Sequence, residues 1–241
     1  MEEEDELDHR GATLHLMQVI TSALWQTNAI LVEVAATTVL VDSPVLPAEL
    51  ATLPRPDVLV VTHAHFDHLL ARAAFPDLPL LAGPATLDAI ARGDWEEELR
   101  ESDAELYVER DVWPDLSGAE RIGCDLFGVV DAPGHAEDGI ALFADDFVLC
   151  GDYLIEIEIP LVSQAGSVDA YLDTLDRLEA LVARSDTIVP GHGPPLDRAR
   201  AMELIELDRR YVGDLRAGPT RGARTARQER IHADNVAKHA S

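Results

Sequence analysis

Residues 62–68 of this sequence read THAHFDH, so three histidines and one aspartate lie within a single short segment. Imidazole nitrogens and carboxylate oxygens are common protein ligands of zinc and other divalent ions. Side chains two residues apart in an extended chain point the same way, so His63 and His65 can share a face, with Asp67 and His68 on the turn beyond. The segment predicts two adjacent metal positions that are reachable from one loop.

Three further candidate ligands, His135, Asp152 and His192, follow apolar, strand-like runs elsewhere in the chain. A glycine comes directly before each of them, which permits a tight turn and lets the side chain project from the end of a strand. The same combination of apolar run, glycine and candidate ligand therefore occurs three times, and we expect all three side chains to lie at strand ends.

Strands in two groups are predicted to position these side chains. Residues 57–63 form a near-continuous apolar run that ends in polar residues, which is typical of a strand buried on both faces. Residues 29–35 and 38–42 predict two more strands, because they are short and rich in β-branched residues. Several similar runs after residue 123 predict a second sheet.

Helices are predicted between and after these strands. Residues 69–75 and 85–92 have helical composition. Residues 168–181 carry leucines along one stripe, and Ser167 before them is a candidate N-cap. A last helix is predicted at 196–213. Strands in groups, separated by helices, favour a layered sandwich over a strict alternation of strand and helix.

In chain order, the His-x-His-x-Asp-His signature, a Pro-Gly-His, a Gly-Asp after an apolar run and a Pro-Gly-His-Gly resemble the metallo-β-lactamase superfamily over about residues 28–193. The ligand set is similar to that of glyoxalase II. The resemblance implies an α+β fold, a four-layered αββα sandwich with the metal centre at one edge between two β-sheets. We expect one such domain over residues 1–241, with an acidic leader at 1–12 and a basic extension at 216–241 that is mobile or docks late.

The resemblance also implies a role for each candidate ligand. The first metal ion would be held by His63, His65 and His135, the second by Asp67, His68 and His192, and both would be bridged by Asp152. Asp67 and Asp152 would act as catalytic carboxylates that orient or relay a proton, and Asp42 would hydrogen-bond a ligand histidine. Zinc, two ions per chain, is the expected cofactor. Iron and manganese stay open, because the second set is richer in carboxylate.

Two divalent ions about 3.5 to 4 Å apart lower the pKa of a shared water to about 7 or below, so hydroxide is available at neutral pH. The sequence therefore predicts a binuclear metal-dependent hydrolase in which a metal-bridging hydroxide attacks the substrate. No Lys or Arg lies between Arg121 and Arg177, so little in that stretch would hold an anionic substrate. We expect a neutral or weakly charged ester, lactone, thioester or amide, in a pocket shaped by residues 94–118 and 153–166.

Differences from the residue patterns of known subfamilies narrow the choice of reaction but leave several reactions open. The zinc β-lactamases use cysteine where this chain has Asp152, and the lactonases that degrade acyl-homoserine lactones carry tyrosine where it has Ile155. Three alternatives stay open. They are a glutathione thioesterase similar to glyoxalase II, a mononuclear iron (persulfide) dioxygenase on the same ligands, and a non-catalytic metal-binding regulatory protein.

Acidic residues dominate the composition, with 45 Asp and Glu against 19 Lys and Arg and a formal charge of −26. Such a field repels phosphates and anionic headgroups, so we expect a small-molecule substrate and neither nucleic acid nor a membrane as partner. The N-terminus shows no secretory pattern and no run reaches the about 18 apolar residues of a membrane helix, so a cytoplasmic location is expected. The cysteines, Cys124 and Cys150, are expected to be reduced and buried. A homodimer stays open.

Overall fold

In a computed structural model of the chain, the structure describes residues 14–34, 36–144, 146–217 and 225–239. Over these ranges two β-sheets pack against each other, and helices cover the outer face of each sheet. The fold therefore has the layered arrangement that the grouping of strands and helices predicts.

The first sheet contains six strands, ordered as in the chain. They are β1 (Leu14–Thr21), β2 (Asn28–Val34), β3 (Thr37–Val41), β4 (Val58–Val61), β5 (Leu80–Ala82) and β6 (Glu120–Arg121). β1, β2 and β3 pair antiparallel, and β3 to β6 run parallel. β4 is the strand predicted at 57–63, and all four of its residues are buried because both faces are covered.

The second sheet contains five strands in the order β11-β10-β9-β8-β7. They are β7 (Gly128–Asp131), β8 (Ile140–Ala144), β9 (Phe147–Leu149), β10 (Thr187–Val189) and β11 (Leu196–Asp197). Only β9 and β10 pair in parallel, so their carboxyl ends lie side by side at one edge of this sheet.

Alternate residues of the strands face different layers of the core. In β4, Val60 packs between the two sheets, whereas Leu59 packs under the helices of the first sheet. In β8, Leu142 packs between the sheets and Ala141 faces the helices of the second sheet. The order of layers is helix, sheet, sheet, helix, which confirms the predicted four-layered αββα sandwich.

Seven α-helices are described in the two outer layers. The first sheet is covered by α1 (Pro47–Leu50), α2 (Ala71–Ala74), α3 (Pro84–Arg92) and α4 (Asp94–Leu106), and the second by α5 (Val168–Val182), α6 (Arg198–Gly213) and α7 (Ala226–His239). α5 begins as predicted, with Ser167 Oγ accepting a hydrogen bond from Ala170 N at 3.3 Å. α6 begins two residues later than predicted, because Leu196 and Asp197 first pair with β10.

The two ends of the chain differ in how much of them the structure describes. The acidic leader predicted at 1–12 lies outside the described residues, as do residues 218–224 and 240–241 of the basic extension. The rest of that extension contributes α7, which packs on the second sheet's helical layer with Ile231 buried. No helix in the described part of the chain is both long enough and apolar enough to cross a membrane.

Candidate metal centre

The candidate ligands lie where the two sheets meet at one edge. The loop from Thr62 to His68 follows β4, and its end, Phe66–His68, forms a short 3-10 turn. His135 lies between β7 and β8, while Asp152 and His192 follow β9 and β10. Main-chain hydrogen bonds join the sheets here, including Ile140 N to Thr62 O at 2.9 Å. All the predicted ligands are thereby brought to one place.

The first group consists of His63, His65, His135 and Asp152, whose ligand atoms all lie within 4.8 Å of one another. His65 Nδ1 is 2.9 Å from His135 Nε2, and His135 Nε2 is 3.4 Å from Asp152 Oδ2. His63 Nε2 is 3.9 Å from the same carboxylate oxygen. Three imidazoles therefore converge on one carboxylate.

The second group consists of Asp67, His68 and His192, which lie equally close together. His192 Nε2 is 3.4 Å from Asp67 Oδ2, and His68 Nε2 is 3.8 Å from Asp67 Oδ1. Asp152 reaches this group as well, with 3.2 Å from its Oδ2 to His192 Nε2 and 3.3 Å from its Oδ1 to His68 Nε2. Asp152 thus lies between the two groups; the family resemblance implies that it bridges two metal ions.

The buried histidines turn their Nδ1 atoms outward, onto partners in the protein. His135 Nδ1 donates to Leu161 O at 2.8 Å, and His192 Nδ1 donates to Trp25 O at 3.0 Å. A carbonyl oxygen only accepts, so in both rings the proton lies on Nδ1 and Nε2 faces the centre. This is how proteins orient histidines that bind metals through Nε2.

Asp42 anchors the second group from behind. It is buried and takes a left-handed conformation, with φ of 58°, directly after β3. Its Oδ2 accepts from His68 Nδ1 at 3.0 Å and from Thr62 Oγ1 at 2.8 Å, while its Oδ1 accepts from Thr62 N at 2.8 Å. The structure therefore places Asp42 against a candidate ligand histidine. It adds Thr62, whose hydroxyl also lies 3.1 Å from His63 Nδ1 and which sequence reasoning did not single out.

Three buried polar atoms at this centre, His63 Nε2, His68 Nε2 and Asp152 Oδ1, make no hydrogen bond among the described residues, although the last two face each other at 3.3 Å. Leaving such an atom buried and unsatisfied costs about 1–3 kcal/mol, so clusters of them are rare in folded proteins. Imidazole nitrogens and a carboxylate oxygen that face one another are a donor set that a divalent cation satisfies. The residues present therefore fit a metal ion.

Burial keeps two histidines of the first group, His63 and His135, neutral. Burial, followed by the charge of His65, lowers the pKa of His135 to about 4. Burial, followed by the charge of His68, also holds the pKa of His63 well below its ordinary value. Both rings therefore offer lone pairs at neutral pH.

The second group has the opposite electrostatics. Burial lowers the pKa of His192, but Asp152 and Asp67 outweigh it and raise the pKa to about 9. The same balance of burial against Asp67, Asp152 and Asp42 holds the pKa of His68 well above its ordinary value. Burial would raise the pKa of Asp152, but His192 and His68 hold it well below its usual range. In the metal-free protein both histidines are therefore cations at neutral pH.

Two of the three glycines before the ligands, Gly134 and Gly191, are required by close contacts. A Cβ on Gly191 would lie 2.2 Å from Asp152 Oδ1 and 3.0 Å from His68 Cε1. Gly134, before His135, has φ of 128°, and a Cβ there would lie 2.3 Å from Tyr171 N. Only glycine lets these two turns approach the elements that they touch.

A cavity of about 450 Å³ opens onto both groups. Its wall includes Glu98 of α4, a set of residues from the segment after β9, and three residues of α7. The residues after β9 are Ile155, Glu158, Ile159, Leu161, Ser163 and Gln164. The residues of α7 are Arg227, Asp234 and Lys238. The predicted pocket segments, 94–118 and 153–166, both reach it, the first through Glu98. The contribution of α7 to the cavity wall was not predicted from the sequence, although the positive charge of the C-terminal extension was a signal that could have indicated it.

Comparison with known proteins agrees with this geometry. Residues 23–192 match the model of the metallo-β-lactamase superfamily, which is more than half of the chain. The chain therefore belongs to the metallo-β-lactamase superfamily. Members of this superfamily are mostly hydrolytic metalloenzymes, and some are not hydrolytic. No curated protein matches the chain.

Solved structures of the same fold align with this chain over nearly their whole length. A di-iron-bound form of TTHA1623 is 25% identical, with 78% of this chain and 98% of that one covered and a TM-score of 0.60. The archaeal superfamily protein ST1585 from Sulfolobus tokodaii is 17% identical over 95% of this chain and 96% of its own, with a TM-score of 0.59. The mono-zinc form of FIM-1 from Pseudomonas aeruginosa is 18% identical over 84% and 95%, with a TM-score of 0.54.

Proposed function

We propose that this protein is a metal-dependent hydrolase of a small-molecule substrate. The observation that carries the proposal is the convergence of two ligand groups, joined by Asp152, at the floor of one cavity. The first group would hold one divalent ion and the second group another. Zinc is the metal we propose, and iron or manganese would suit the same nitrogen and oxygen donors.

Bound divalent ions would lower the pKa of water and polarise a substrate's acyl oxygen. The protein's own carboxylates then have separate tasks. Asp67 lies on the cavity wall, and its Oδ2 accepts from Thr27 Oγ1 at 3.3 Å, which leaves Oδ1 to take up the proton of the attacking water. Asp152 lies between the groups and fixes how far apart they are.

The cavity wall supports a neutral or weakly charged substrate. Its Lys and Arg side chains come from α7 and each lies beside a carboxylate: Arg227 Nη2 is 3.3 Å from Glu158 Oε2, and Lys238 Nζ is 4.0 Å from Asp234 Oδ2. Glu98 faces the same cavity with no cation at ion-pair distance within the described part of the chain. The wall therefore offers an anion little uncompensated positive charge.

Apolar side chains near the ligands suit the acyl part of such a substrate. Phe66, Ile155 and Leu161 line the cavity beside the two groups. They would exclude water around the scissile bond, which strengthens the electrostatic interactions at the reacting atoms. An ester, lactone, thioester or amide of modest size fits this combination of polar floor and partly apolar wall.

A substrate panel with metal analysis tests the proposal. The purified chain is loaded with zinc, iron or manganese, its metal content is measured, and turnover is followed on a neutral ester, a lactone, a glutathione thioester and a phosphodiester. We expect two ions per chain and turnover of the ester or lactone. His63→Ala is the blank, and His232→Ala, which changes a histidine outside both groups, is the matched control.

Each contrary outcome has a definite meaning. A glutathione thioester hydrolysed orders of magnitude faster than the neutral substrates would show that the argument from wall charges is wrong. One iron per chain with oxygen uptake would replace the hydrolase by an oxygenase. Two bound ions without turnover of any substrate would favour a regulatory protein.

A further inference from the structure

The side chain of Asn235 on α7 holds the segment 160–162 by its backbone. Asn235 is fully buried, its Oδ1 accepts from Val162 N at 3.0 Å, and its Nδ2 donates to Pro160 O at 2.7 Å. The same Nδ2 donates to Tyr211 Oη on α6 at 2.9 Å. The Asn235 amide thus hydrogen-bonds the main chain on both sides of Leu161 and connects it to the helical layer.

The other side of this segment holds His135, a candidate ligand of the first group. Leu161 O accepts from the His135 ring at Nδ1, at 2.8 Å, and Ser163 N donates to His135 O at 2.8 Å. A Cβ on Gly166 would lie 2.7 Å from the same His135 O, so the two loops run in close contact. Both the ring and the main chain of His135 are positioned by residues 161–166.

Residues 155–166 form no described helix or strand, so their backbone groups need partners from elsewhere. α7 supplies several of them. Besides Asn235, Gln228 Nε2 donates to Ile157 O at 3.2 Å, and His239 Nε2 lies 3.0 Å from Ser163 O. α7 begins more than thirty residues beyond the stretch that matches the superfamily model, so this support comes from outside that stretch.

We propose that Asn235 is a positioning residue for His135. Through Pro160 and Val162 it fixes the carbonyl of Leu161, and that carbonyl keeps the His135 proton on Nδ1 and its Nε2 turned toward the first group. The inference rests on the proposed function, because it assigns His135 to a metal ion. It extends that function by making the loading of the first group depend on the C-terminal helix.

The test compares Asn235→Ala with Gln228→Ala, which removes another hydrogen bond between α7 and the same loop. Stepwise zinc affinities are measured by competition with a chromophoric chelator, and the His135 ring is observed by ¹⁵N NMR. In Asn235→Ala we expect zinc affinity of the first group to fall about 10-fold, the low end for loss of an outer hydrogen-bond partner. We also expect a mixture of ring tautomers at His135 and an unchanged second group, whereas Gln228→Ala keeps the single tautomer and both affinities.

A milder variant, His239→Ala, provides a second test in case Asn235→Ala does not fold. His239→Ala removes a partly exposed contact to Ser163 O and should weaken the first group in the same direction by a smaller factor. If Asn235→Ala or, should that variant not fold, His239→Ala leaves both the tautomer and the first affinity unchanged, the positioning role is wrong. A wild-type protein that binds no zinc would instead overturn the proposed function, so the two failures are separable.

Discussion

The two ligand groups share Asp152 and one cavity, but their buried histidines differ in pKa. The protein disfavours a proton on those of the first group and favours one on those of the second. In the first group, His63 faces a hydroxyl and His135 a carbonyl, and burial keeps the pKa of both rings low. In the second group, carboxylates surround His68 and His192 and raise the pKa of both. The first group is therefore ready for a metal ion at neutral pH, and the second holds protons.

The two protons of the second group carry the same charge as one divalent ion. They offset two of the three carboxylate charges around them, those of Asp42, Asp67 and Asp152. Exchange of protons for a metal ion thus leaves the local charge nearly unchanged, so the metal-free centre avoids a cluster of unpaired buried anions. The same donor atoms can therefore be kept available for a metal ion by burial or by neighbouring carboxylates.

The largest effect is expected from Asp152→Asn, because Asp152 is common to both groups. Loss of its charge should weaken zinc binding in each group by at least about 100-fold, since even an outer hydrogen-bond partner is worth about 10–100-fold. Titration with zinc and metal analysis after dialysis measure this. Asp176→Asn on α5 is the control, and loss of only one ion would show that Asp152 is not shared.

The pH dependence should separate the groups next. In metal-free protein at pH 7, His68 and His192 are protonated because their pKa values are raised, so zinc entering the second group must release about two protons. Its affinity should rise about 100-fold per pH unit from pH 7 and less steeply once pH passes the His192 pKa of about 9. His63 and His135 should release no proton when zinc enters the first group above about pH 6, since both pKa values are lowered, that of His135 to about 4.

Calorimetry in buffers of different ionisation enthalpy counts these protons for each binding step. Equal proton release in the two steps would contradict the electrostatic difference between the groups. His192→Ala should remove one proton from the count of the second step and leave the first step as it is.

A crowding mutation should act on the second group more than on the first. In Gly191→Ala the new methyl group overlaps Asp152 Oδ1 and presses on His68, so we expect about a 10–100-fold loss of zinc affinity, mainly in the second step. Gly213→Ala is the matched control, because nothing lies within 4 Å of its added Cβ. Equal losses in Gly191→Ala and Gly213→Ala would show that the close approach is unimportant.

The smallest effect is expected from Asp42→Asn. The amide removes one of the three carboxylates that hold a proton on His68, and it weakens the hydrogen bond that orients the ring. Zinc affinity of the second group should fall about 10-fold, and the first group should not change. Chelator competition at pH 7 measures both, and a loss confined to the first group would reverse the assignment of Asp42.

How far the sequence predicts this molecule depends on how local each signal is. The 62–68 loop and the helix after Ser167 could be predicted because spacing, capping and apolar stripes act within a few residues. The contribution of Lys238 and Asn235 could not, since both reach the cavity or its loop through tertiary packing of α7. Cys124 was wrongly expected to be buried, because it lies exposed between β6 and β7, outside any strand. Cys150 is buried as expected.

The distribution of Lys and Arg along the chain shows the same limit. The stretch between Arg121 and Arg177 contains no Lys or Arg, yet cations enter the cavity wall from residues far along the chain. A substrate meets a surface assembled in space, so charge counted along the sequence describes only part of it. The conclusion about substrate charge now depends on the pairing of Arg227 with Glu158 and of Lys238 with Asp234.

Asn28, at the start of β2, has a consequence for the order of folding. Its main-chain N–H donates to Gly191 O at 2.7 Å, and its side chain donates to Pro190 O and Gly193 O at 2.9 and 2.8 Å. These bonds close loops of more than 160 residues, the kind of contact that forms late because it fixes so much chain at once. A chain emerging from the ribosome thus carries the 62–68 loop long before His192 can join it. The second group is complete only once β2 and the segment after β10 have come together. A centre with both metal ions bound would therefore indicate a molecule that has finished folding.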